Sequence, residues 1–208
     1  MSDAASPLPR SYRWALVAAV VLGFQVSLAA AFDVQAALNY AEPPPMGGSE
    51  AAFPGLGLSP IAQRQLVLAA ASGHQSALEA MLPWRTATSL LLAVASGLVF
   101  ILGMRLRVSQ ESRVNTAHQL GAVALASAVL RSIDGAENLV IMRTMMGEVG
   151  KAILQEGVAD ANVVASVATS VFSVASVAWT LVVVAGFMTL GNYFRSETLR
   201  AALGRSES

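Results

Sequence analysis

From Ala161 to Phe194, in ANVVASVATSVFSVASVAWTLVVVAGFMTLGNYF, 34 residues pass without a charged side chain. As a helix the run is roughly 50 Å long, well beyond the ~30 Å hydrocarbon core of a bilayer. A helix apolar on all sides must be surrounded by lipid or protein. This run therefore belongs largely in a membrane, with its excess length absorbed by tilt or standing outside the lipid. Tyr193 and Arg195 mark one boundary, and a tail follows over 195–208.

Two further runs are of membrane length. Trp14 to Phe32, preceded by Arg10 and Arg13 and followed by Asp33, reads as a span with its N-terminal side in the cytoplasm. A cleaved signal peptide is the rival reading, with Ala15–Phe24 as the apolar region and Ala29 and Ala31 as the small residues before the cut. Thr86 to Met104, TATSLLLAVASGLVFILGM, is the cleanest span, with Trp84 and Arg85 at one interface and Arg105 and Arg107 at the other. Only 12% of the residues are charged, about half the usual ~25% of soluble domains. Of the 13 basic residues 12 are Arg, a bias that hints at a GC-rich bacterial genome, and the layout of spans is that expected of a bacterial inner-membrane protein.

The stretch 114–133 decides the number of spans. His118, Gln119 and Arg131 make its hydropathy marginal, yet Leu120 to Leu130 is apolar or small all the way round. A loop over 105–160 has little else to bury such a cylinder, whereas lipid and neighbouring spans do. Counting basic residues does not decide, because three and four spans both leave eight inside and five outside.

Two narrow seams favour four spans. Residues 60–82 read as an amphipathic helix begun by Ser59 and Pro60 and stopped or kinked by Pro83, with Val67, Ala71, His74, Leu78 and Met81 on one stripe. Residues 134–160 read as a second one, capped by Asp134, with Leu139, Met142, Met146, Val149 and Ile153 on its stripe. Four spans put both seams on the outer side, where they can pair; three put them on opposite sides.

The expected fold is thus an all-α integral membrane protein with four transmembrane helices, three being the alternative, and two amphipathic helices on the outer face. Its parts are a cytoplasmic N-terminus at 1–13, spans at 14–32, 86–104, 114–133 and within 161–194, a cytoplasmic loop at 105–113, and a cytoplasmic tail. The outer insertions, 33–85 and 134–160, carry four basic and nine acidic residues, a formal charge of −5. The first includes a Pro- and Gly-rich linker at 41–60.

Little in the chain suggests chemistry. Without cysteine there is no disulfide, Cys-ligated zinc or thiol nucleophile. His74 and His118 fall on opposite sides of the membrane in either topology, so they cannot share a metal or haem, and no cofactor is expected. Zero net charge argues against nucleic acid as a partner. Gln25, in the middle of the first span, and the face Ser166, Ser170, Ser173 suit helix packing or a polar path. Arg131 and Asp134, three apart on a helix, suit an ion pair. His74, Leu78, Met81, Leu139, Met142, Met146 and Val149 form an expected partner interface. The function expected is a non-enzymatic interaction or assembly subunit in the lipid bilayer, joined to copies of itself or to another membrane protein. The alternative is a channel or transporter subunit for a small solute.

Overall fold

The computed structural model describes residues 10–39, 60–108, 113–155 and 161–207. Every regular element among them is a helix: α1 (Arg10–Leu38), α2 (Pro60–Val108), α3 (Arg113–Gln155), α4 (Ala161–Arg195) and α5 (Glu197–Glu207). Three are long and apolar enough to cross a membrane: α1, α2 over Gln63–Val108, and α4 over Thr169–Arg195. The expected linker at 41–60 lies, up to residue 59, outside the described residues, as do the connections at 109–112 and 156–160.

Two expected boundaries are absent. Pro83 lies inside α2, so the amphipathic segment and the span after it are one helix. A mid-helix proline removes a hydrogen bond and costs ~3 kcal/mol. Burial of Leu78 before it and Arg85 after it anchors both arms against that cost. Asp134 starts no helix either, since α3 runs through it. Its carboxylate faces Arg85, where a cap would turn to the amides of a first turn.

The tail forms a helix of its own, α5. Ser196 interrupts the helix and caps α5, its Oγ accepting the Leu199 N–H at 3.3 Å. Leu199 and Leu203 of α5 are buried in the core.

The chain forms two compact units. The first gathers four long-helix segments, 10–34, 87–108, 113–133 and 180–195, together with α5. Its core holds Leu16, Ala19 and Val26 of α1, Leu92 and Val99 of α2, Leu120 and Ala124 of α3, and Val183 and Phe187 of α4. Small residues bring the helices close, as membrane helices require when apolar surface gains nothing by leaving lipid. A Cβ on Gly23 would sit 2.7 Å from the Phe100 nitrogen and 2.8 Å from the Ser96 oxygen, so α1 and α2 touch through their backbones. Ser27 Oγ donates across the same contact to the Ala93 carbonyl at 2.9 Å. The Tyr12 and Phe194 rings meet edge to face at 6.4 Å and join α1 to α4.

The second unit comprises 35–86 and 134–179. Within it the first half of α2 packs antiparallel on the second half of α3. Leu66 meets Val149 and Ile153 in one cluster, and Ala77 and Leu78 meet Ile141 in another. A Cβ on Gly73 would come 2.9 Å from the Met145 Cα.

Candidate functional site

The α2–α3 pair is the site the two seams predict, with a different register on α2. The buried line there is Leu66, Gly73 and Ala77, one residue ahead of the expected stripe, with Ala70 half-buried between them. Leu78 is buried and Met81 half-buried, both in the contact with Ile141, whereas Val67 and Ala71 are only half-buried. His74 is exposed. Partial desolvation, then the charge of Arg85, lower its pKa from the ordinary imidazole value.

On α3 the expected stripe is closer to the mark. Met146, Val149 and Ile153 are buried, and Leu139 and Met142 half-buried. Ile141, absent from the expected stripe, is buried as well. The residues foreseen as an interface for a partner are therefore largely engaged within the chain.

At one end of the pair sits a buried polar cluster. Arg85 Nη1 lies 3.9 Å from Asp134 Oδ1, and their side chains are 9% and 1% exposed. Asn138 Nδ2 donates to Asp134 Oδ2 at 3.3 Å, and Glu137 is buried beside them. Buried charges need opposite partners and hydrogen bonds to offset lost hydration. The counter-charge from α2 thus pins the register of the two helices. Arg131, the expected partner for Asp134, is half-buried on the same helix. Arg85 was read only as an interfacial anchor. The signal for the cluster was present in the polar residues 134, 137 and 138, which share one helical face.

Of the residues foreseen for a polar path, Gln25 belongs to the first unit and Ser166, Ser170 and Ser173 to the second. Gln25 is exposed, and Ser27, two residues on, makes the bond to a second helix. Ser166 and Ser170 are exposed, and Ser170 Oγ donates to the Ser166 carbonyl of its own helix at 2.8 Å. Ser173 is half-buried. His118, exposed at the start of α3, lies with its Nδ1 3.5 Å from Arg200 Nη2 of α5. Among the described residues no group of three His, Cys, Asp or Glu side chains stands close enough to hold a metal ion.

α4 exposes several large apolar side chains in the second unit. Val171, Phe172, Val174 and Trp179 are 54–68% exposed. No family model, curated protein or solved structure matches this chain.

Proposed function

We propose that this chain is a four-span membrane protein with both termini in the cytoplasm, and that it acts as a non-enzymatic assembly subunit. Two contacts support the fourth span. The segment 113–133 of α3 contributes Ala117, Leu120, Ala124 and Ala128 to the same core as the three more apolar helices. The α2 and α3 seams pair with one another, which requires both to emerge on one side. Packing of Tyr12, Leu16, Ala19, Val26 and Ala30 in that core supports α1 as a retained span.

The assembly reading is carried by the exposed apolar face of α4. Thirty-five residues of helix exceed one bilayer, at ~1.5 Å per residue against ~30 Å. The excess includes Val167, which lies ahead of the Thr169–Arg195 stretch and is 55% exposed. Apolar surface outside lipid calls for a protein cover, and an identical uncharged face on a second copy supplies one. The first bundle gives the channel alternative no support, since Phe187, Leu92, Leu120 and Val99 fill its interior.

The test is the mass of the purified protein in mild detergent. The wild type is expected to run as a multiple of its 21.6 kDa, and Val171→Asp/Val174→Asp as single chains. A monomeric wild type would count against self-association.

A further inference from the structure

A cleft of about 560 Å³ opens in the first unit, lined by Tyr12, Arg13 and Val17 of α1, Leu106 and Arg107 of α2, and Arg113 at the start of α3, with Leu16 beneath. Three guanidinium groups share this space, and none of the described lining residues is acidic. Like charges gathered at a low-dielectric wall raise the local potential for an anion. The amino end of α3, at Arg113, adds the positive pole of a long helix.

A second observation points to a ligand. Tyr12 is 4% exposed, and its hydroxyl is buried without a hydrogen-bond partner. The ring is held edge to face against Phe194, and the residue lines the cleft with its donor unused. Buried hydroxyls are nearly always satisfied. An acceptor entering the cleft would satisfy this one.

The remaining wall is apolar. Leu16, Val17 and Leu106 line it, and Val17 also belongs to the exposed apolar face of α1 with Trp14 and Val21. A ligand suited to this cleft carries a phosphate at one end and hydrocarbon at the other. Arginine matches phosphate through paired N–H donors, and basic pockets between membrane helices suit anionic headgroups.

We propose that this cleft binds the headgroup phosphate of an anionic glycerophospholipid. Arg13, Arg107 and Arg113 face the phosphodiester, Tyr12 donates its hydroxyl, and the acyl chains lie along Val17 and Val21. The assignment rests on reading the first unit as a membrane bundle.

The full-length chain is first reconstituted into phosphatidylcholine vesicles. Failure to insert would overturn the membrane reading, and the lipid site with it. In mild detergent, its melting temperature is then followed during titration with phosphatidylglycerol, phosphatidylcholine or sodium phosphate. Phosphatidylglycerol is expected to protect saturably, and the other two are not. Arg107→Gln/Arg113→Gln should weaken the phosphatidylglycerol half-point about tenfold. Tyr12→Phe, which keeps the buried ring, should weaken it about threefold. Equal protection by phosphatidylcholine would overturn the proposal, and so would protection by inorganic phosphate at the same concentrations. Wild-type titration by both variants would overturn it as well.

Discussion

Two glycines in comparable helices should respond with opposite sign to the same added methyl group. Gly23 lies where α1 and α2 meet backbone to backbone, and a Cβ there collides with the Phe100 nitrogen and the Ser96 oxygen. Neither atom can move without shifting a helix, so Gly23→Ala should lower stability by ~1–3 kcal/mol. Gly147 has nothing within 4 Å of such a Cβ, and it lies inside α3. Gly147→Ala should therefore raise stability by ~0.5–1 kcal/mol through helix propensity. Melting temperatures in one detergent compare the two directly. The Arg85–Asp134 pair makes a related prediction. Either Arg85→Leu or Asp134→Leu alone removes one partner from a buried charged cluster and should cost ~3 kcal/mol, whereas Arg85→Leu/Asp134→Leu should recover much of that loss. Additive losses in this cycle would show that the two charges do not depend on each other.

At the scale of the element, the contact between α2 and α3 can be trapped chemically, because the chain has no native cysteine. Leu66→Cys/Ile153→Cys joins two residues of one buried cluster and should cross-link with a short bifunctional thiol reagent. Leu68→Cys/Ile153→Cys should not, since Leu68 is 44% exposed on another face. Equal yields from both pairs would argue against the packing described. How much of this contact the sequence discloses differs between its two helices. On α3, Met146, Val149 and Ile153 stand at large apolar positions spaced like a seam, and they are buried. On α2, Gly73 and Ala77 do the close packing. Small residues look neutral on a hydrophobicity scale, so larger neighbours draw the expected stripe one position off. Pro83 and Asp134 mislead for a different reason. Each is a strong local signal for a helix end, and each is outweighed by packing between segments more than forty residues apart. Besides Asn138 on its own helix, Asp134 meets Arg85 of α2, a pairing that no local window contains.

At the scale of the whole molecule, the all-helical build and three helices able to cross a membrane follow directly from run length and missing charge. The role of 113–133 is less legible, because alanine contributes little to hydropathy while packing closely against other helices. Ala117, Ala124 and Ala128 show this, each no more than 4% exposed in the first unit. The proposed topology requires this segment to cross the membrane and both seams to lie outside. The most direct measurement is labelling of Lys151→Cys in intact cells with a membrane-impermeant thiol reagent, Ser109→Cys and Ser206→Cys serving as cytoplasmic references. The Lys151 side chain is 69% exposed, so a cysteine there is accessible to reagent on its own side. Labelling at 151 is expected in intact cells, and labelling at 109 and 206 only after the membrane is opened. Protection of 151 until the membrane is opened, together with labelling of 206 in intact cells, would contradict it.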